Sequence, residues 1–454
     1  MQLRPGAAVL RSTYTVSRSA LLSSSSRCAQ CRRIAPLDVR LPVTAALYHS
    51  SSKRSSAWGA AVSVASNIAS NAINRVVPKG DMHIDPLRTV AKEMKFLTGN
   101  IRKLLGSGHP SLDRAAKYYT QAEGKHMRPL IVLLMSRATS LCPKGPRLQS
   151  AQAIGGVDTA ISPPGILVDV NPSTPLSGVA ADPVESESDI LPSQRRLAEI
   201  TELIHTASLL HDDVIDHSVS RRGNPSANLE FGNKMAVLAG DFLLGRASVA
   251  LARLRNAEVI ELLATVIANL VEGEFMQLKN TAHDERKPVW SEEALTYYLQ
   301  KTYLKTASLI SKSCRAAAIL GGADAASVEA AYLYGKNLGL AFQLVDDLLD
   351  YTRSEKELGK PAGADLELGL ATAPLLFAWK QMPELGALVG RKFEQEGDVA
   401  RARELVLQSD GIEQTRALAQ DYAEQAIAAL ADFPDSEAKD GLIEMAMKSL
   451  KRQK

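Results

Sequence analysis

The stretch SLLHDDVIDHSVSRRGNPSAN (208–228) places Asp212, Asp213 and Asp216 within five positions and follows them with Arg221 and Arg222. The run before it, LAEITELIHTASLL (197–210), repeats apolar residues at helical spacing, and SRRGNPS ends the helix. Asp212 and Asp216 therefore share one helix face in the last turn, where the helix dipole disfavours negative charge and the carboxylates repel one another. That cost makes sense if hard cations occupy the site, and an oxygen-only ligand set on helices suits Mg²⁺.

A second copy lies downstream. GLAFQLVDDLLDYT (339–352) sets Asp346, Asp347 and Asp350 at the same spacing after another apolar helix. A single acidic helix end is usually just solvated. Two copies at the ends of two apolar helices point to a central cavity that holds several divalent ions. Ions held by carboxylates complete their shells with water and substrate phosphates, and matching cations are present. Lys125 and Arg128 precede a helix that Pro129 can open; Arg221 and Arg222 follow the first cluster; Lys305 and Thr306 stand in LKTAS; Lys360 follows the second cluster.

The remainder reads as helix by period over 85–105, 130–141, 197–211, 234–254, 257–279, 292–319, 325–351, 371–381 and 412–431, with little strand-like alternation. The expectation is an all-α, large single-domain helical bundle with a central cavity between the two Asp-rich helices. Residues 143–195 carry eight of the 21 prolines and no aromatic residue, which predicts a disordered insertion within the 85–454 domain.

Residues 1–80 hold eleven Lys/Arg and one acid, Asp38, leaving 42 basic against 49 acidic residues beyond them. The body is acidic, which argues against nucleic acid as a partner. Arginines at 4, 11, 18, 27, 32 and 33 among serines and small residues predict a mitochondrial presequence over 1–55, followed by a linker over 56–84. The four cysteines form no disulfide framework or zinc site. No stretch is expected to offer the eighteen or more apolar residues of a membrane span.

The combination GKxxR, DDxxD with RRG, KT, and FQxxDDxxD with GK resembles the trans-isoprenyl diphosphate synthases over about residues 85–454. It is most similar to the mitochondrial long-chain enzymes, hexaprenyl to decaprenyl, that supply the ubiquinone side chain. The resemblance implies the isoprenoid synthase fold and Mg²⁺ bound by Asp212, Asp216, Asp346 and Asp350, with Asp213 and Asp347 completing the motifs. It implies an allylic diphosphate held by Arg221, Lys305 and Lys360, and isopentenyl diphosphate held by Lys125, Arg128, His205 and Arg222. Thr306 and Gln343 would face the reacting carbon. It further implies a homodimer, or a heteromer with a related subunit, and peripheral contact with the inner mitochondrial membrane.

A tail anchored at Asp212 should run back along its helix past Ala207 and Ser208, whose small side chains favour a long product; Ile204, Phe275 or Met276 are deeper candidates for the floor. Two rivals are weaker. A terpene cyclase would not need a second DDxxD or GKHMR, and a non-catalytic regulatory subunit would show degraded aspartate motifs.

Overall fold

The computed structural model describes residues 85–121, 126–145, 157, 161, 189–278, 288–352 and 363–452. The expected presequence 1–55, the linker 56–84 and the interior of the 143–195 stretch lie outside the described residues, as do Lys125 and Lys360. The edges of that stretch belong to the body: Ile190 is fully buried, and Lys144 Nζ donates to the carbonyls of Thr139 and Gly321.

The longer helices are α1 (Ala91–Leu104), α2 (Pro110–Gln121), α3 (Met127–Ser140), α4 (Pro192–Ile215), α5 (Asn233–Arg253), α6 (Ala257–Leu278), α7 (Glu292–Thr302), α8 (Ser308–Leu320), α9 (Ala325–Thr352), α10 (Ala373–Gln381), α11 (Asp398–Gln408), α12 (Gly411–Ala429) and α13 (Glu437–Leu450). The expected all-α bundle is what forms. Among the described residues the only sheet is a hairpin of β1 (Ser220–Arg221) and β2 (Asn224–Pro225). Arg222 and Gly223 turn it with φ of 53° and 77°, the left-handed pair that matches the twist of a two-residue hairpin. A periodicity reading treats SRRGNPS as the end of a helix. The structure adds that it folds back and carries both arginines with it.

α4 starts at Pro192, whose fixed φ suits the first helical position, and ends with Asp216 as its cap. It packs on α5, while α9 packs on α8 and α12. One hydrophobic core joins α1–α6 with α8, the first half of α9 and α13. A second gathers the C-terminal half of α9 with α10, α11 and the start of α12. Tyr298, on α7, belongs to that second core.

The expected unbroken helix 292–319 is interrupted. Residues Tyr303–Ala307 form a π-turn between α7 and α8, and it contains Lys305 and Thr306. Such wider turns cost hydrogen-bond geometry and recur at functional positions. Two glycines let neighbours approach it. A Cβ on Gly273 of α6 would lie 3.0 Å from the Lys305 amide nitrogen, and one on Gly339 of α9 would lie 2.6 Å from the Ala307 Cα.

One expectation is corrected. α5 is long and apolar enough, by length and composition, to cross a membrane. Its packing against α4 makes it a helix of the bundle. Part of its surface nevertheless faces outward: Val237, Leu238 and Val249 are exposed, as are Val271, Phe275 and Leu278 of α6.

Candidate active site

The two aspartate clusters end α4 and α9, and the bundle brings those ends to one cavity. Asp216, Lys305, Thr306, Gln343 and Asp347 all line a space of about 200 Å³. Its far wall carries Asp365, from the segment after the second cluster.

Within the first cluster the three aspartates differ. Asp213 is fully buried; its Oδ1 accepts from Arg221 Nε at 2.6 Å and its Oδ2 from the Tyr119 hydroxyl. Tyr119 Oη in turn accepts from the Ala227 amide at 2.8 Å, tying α2, α4 and the residues after the hairpin together. Asp216 is left to this cavity, and Asp212 lines an apolar groove between helices. Burial pushes the Asp212 carboxyl up to about 6; Lys305 opposes this, while Glu274 and Asp216 add to it. Asp216 is raised in the same direction, again chiefly by burial. Glu274, buried on α6, accepts from Lys305 Nζ at 2.6 Å. Crowded carboxylates that resist ionisation describe a site short of positive charge.

The second cluster is wired otherwise. Asp346 Oδ1 accepts from Arg452 Nη1 at 2.6 Å, and the Arg452 guanidinium lies 4.0 Å from the centre of the Phe342 ring. Asp347 accepts from Tyr298 Oη at 2.5 Å and from Gln343 Nε2 at 2.9 Å, and burial raises its carboxyl. Gln343 Oε1 accepts from Thr306 Oγ1 at 2.9 Å, so a continuous chain runs Thr306–Gln343–Asp347–Tyr298 and fixes the amide. Asp350 is buried and turned to the backbone: its Oδ2 accepts from the Asp365 amide at 3.2 Å, and its carbonyl from the Gly363 amide.

A cationic subsite adjoins both clusters. Arg128 Nη1 meets His205 Nε2 at 2.9 Å. Burial, then Arg128 and Arg222, holds His205 well below the usual imidazole range, so the ring is neutral and Nε2 accepts. Glu202, one turn earlier on α4, gathers the cations: His126 Nδ1 lies 3.1 Å and Arg222 Nη2 3.9 Å from its Oε1. Arg222 Nη1 also donates to the Tyr119 carbonyl. Arg128 feels Asp346 and Glu202, and Arg221 acts on both Asp212 and His205, so this subsite and the clusters form one electrostatic unit.

Of the expected chain-length residues, Ser208 lines an apolar groove of about 340 Å³ that begins at Asp212 and runs between α5 and α6 past Val271, Phe275 and Leu278. Ala207 is fully buried and does not line it. Ile204 is buried in the core, and Met276 faces a different cavity.

A family model described as polyprenyl synthetase matches residues 174–406. The chain belongs to the polyprenyl synthetase family. It is an all-α prenyltransferase of the isoprenoid synthase fold. It is 76% identical over 461 residues to a protein of Neurospora crassa named probable hexaprenyl pyrophosphate synthase, mitochondrial, with all of both chains covered. It is 46% identical to the mitochondrial hexaprenyl pyrophosphate synthase of Saccharomyces cerevisiae, covering 85% of this chain and 94% of that one. A polyprenyl synthase of Caulobacter crescentus, solved with calcium and isoprenyl diphosphate, superimposes with a TM-score of 0.65 at 32% identity, over 83% of this chain and all of that one.

Sequence reasoning missed Tyr119, Glu202, Glu274, Tyr298, Lys301 and Arg452. For three of them a signal existed. Glu202 and Glu274 are acids inside apolar helical runs, and Lys301 stands four before Lys305. The role of Arg452, at the end of a basic tail, had none.

Proposed function

We propose that this prenyltransferase adds isopentenyl diphosphate units head-to-tail to an allylic primer such as farnesyl diphosphate, giving an all-trans long-chain diphosphate of the hexaprenyl class. The product serves as the ubiquinone side chain, and the enzyme works in the mitochondrion. The observation that carries this reading is the shared cavity, in which Asp216 and Asp347 stand with Lys305, Thr306 and Gln343.

The residues fit Mg²⁺. Among the described residues no three His, Cys, Asp or Glu side chains converge tightly enough to hold an ion by themselves. Magnesium prefers one or two carboxylates plus substrate phosphates and water. Asp212 and Asp216 would offer such a pair, and Asp346, now bonded to Arg452, would be a further ligand if released from it. The bound ions would supply charge neutralisation for the leaving diphosphate. Asp213 is best read as a brace for Arg221, and Asp350 as a brace for the segment that carries Asp365.

The protein's own groups do the rest. Lys305 and Arg221 hold the allylic diphosphate and stabilise the charge that grows on it as the C–O bond ionises. Arg128, Arg222 and neutral His205 hold isopentenyl diphosphate. Lys125 and Lys360, in sequence beside these groups, complete the two sets. The Gln343 amide, fixed by Asp347, and the Thr306 hydroxyl present oxygens to the developing allylic cation. The double bond of isopentenyl diphosphate attacks that cation, and the departing pyrophosphate takes the proton. The apolar groove past Ser208 receives the tail and excludes water.

The exposed apolar face of α5 and α6 fits a second copy of the chain, which would close the groove from outside. The test supplies purified protein with farnesyl diphosphate, labelled isopentenyl diphosphate and Mg²⁺, then sizes the dephosphorylated products. A magnesium-dependent product of about six isoprene units supports the reading. A product ending at geranylgeranyl overturns the length assignment, and no product from folded dimer overturns the activity.

A further inference from the structure

Lys301 lies in the last turn of α7, four residues before Lys305, and both side chains line the cavity shared by the two aspartate clusters. Lys305 is committed to Glu274 at 2.6 Å. Lys301 lies half-buried with its ammonium 5.5 Å from the centre of the Tyr298 ring. Asp347 and Asp365 attract it and Lys305 repels it. Asp347 already accepts two hydrogen bonds, from Tyr298 and Gln343, and is not a dedicated partner for the ammonium. Lys301 also lines a larger cavity of about 630 Å³, bounded by Trp290 and Trp379, so it stands where the two cavities share a wall.

A half-buried ammonium beside carboxylates that other groups also engage gains most from an anion that brings several charges. The diphosphate group of the allylic substrate, and the pyrophosphate it becomes, is such an anion. We propose that Lys301 is a third protein cation for that diphosphate, contacting it from the side of the second cluster and the larger cavity while Lys305 and Arg221 contact it from the first. This assignment rests on the cavity being the allylic diphosphate site. It explains why the π-turn follows directly: the turn adjusts how Lys305 and Thr306 face a ligand that Lys301 meets from the preceding α-helical turn.

The test compares Lys301→Met, Lys301→Gln and Lys301→Arg with Lys305→Met. It measures KM for both substrates, the competitive inhibition constant of inorganic pyrophosphate with Mg²⁺, and Tm. The expected result for Met and Gln at 301 is a rise of about tenfold in the allylic KM and the pyrophosphate constant, the size of one lost charged hydrogen bond. KM for isopentenyl diphosphate stays within twofold, and arginine restores most of the loss. Should Lys305→Met weaken pyrophosphate while both neutral variants at 301 leave it unchanged, the proposal is overturned and the site reading stands. Should none of them change it, the cavity is not the diphosphate site and both fail. Equal losses for both substrates with a lowered Tm would mark Lys301 as structural and also overturn the proposal.

Discussion

The two DDxxD motifs share a spacing and differ in everything around it. At the end of α4, Asp216 is left to the cavity and Asp212 to the groove, and burial raises both carboxyls. At the end of α9, Asp346 has Arg452, Asp347 has Tyr298 and Gln343, and Asp350 has a backbone amide. The first cluster waits for cations from outside. The second has hydrogen-bond partners from the chain itself, although burial raises Asp347 as well. Equal motifs therefore need not be equal sites: the neighbours decide which carboxylates are available.

The sharpest way to break this contrast is within the first cluster. Asp212→Asn removes the carboxylate at the groove and is expected to lower kcat by about 10³-fold, the scale of losing a group that stabilises charge in the transition state. Tm of the ligand-free protein should hold or rise, because a crowded acid is gone. Asp213→Asn is expected to do the reverse in kind. It leaves Arg221 without its buried partner and costs about 3 kcal/mol of stability, read by chemical denaturation, with activity falling because Arg221 loses its position. Equal kcat losses with no stability difference would erase the division of roles.

Why this division was not legible in the sequence is a matter of distance along the chain. The spacing of Asp212 and Asp216, the apolar runs and the basic motifs are local, and they gave the bundle, the cavity and most of the cations. What orients Asp213 is Tyr119, on another helix far upstream, and what occupies Asp346 is Arg452, close to the chain end. Long-range partners leave no periodic trace. The π-turn was hidden for a different reason: TYLKTASL has ordinary helical composition, and only packing against Gly273 and Gly339 accompanies the change of winding. Gly339→Ala tests that account. Its Cβ would press on Ala307, and a loss of about 1–3 kcal/mol is expected, with the Lys305–Thr306 geometry and hence kcat falling too.

The contrast also sets a pH dependence. Because the folded protein holds the Asp212 proton up to about 6, against about 3.9 in the unfolded chain, this group favours folding fully below pH 4 and loses that contribution as pH rises through 6. The ligand-free protein should thus gain about 1.4 kcal/mol from this residue between pH 7.5 and pH 5, and Asp212→Asn should flatten the profile. Magnesium binding runs the other way and weakens as pH falls through 6, since the proton and the ion compete for one carboxylate. A titration calorimetry series across pH 5–8 reads this directly, and constant affinity would contradict it.

The smallest effect belongs to the second cluster. Arg452 and Asp346 are both partly exposed, so their pair is worth no more than about 1 kcal/mol, and Arg452→Ala should barely change Tm. Its removal nonetheless frees the Asp346 carboxylate at the place where an ion must enter. Metal binding to the ligand-free variant, followed by calorimetry or by Mn²⁺ paramagnetic resonance, should therefore tighten by about two- to fivefold, the same free energy with the opposite sign. Arg452→Lys keeps the charge and should stay near the native affinity, whereas loss of the planar stack on Phe342 alone would make it resemble alanine. If alanine weakens metal binding instead, Arg452 is helping to assemble the site, and the second cluster is as dependent on outside cations as the first.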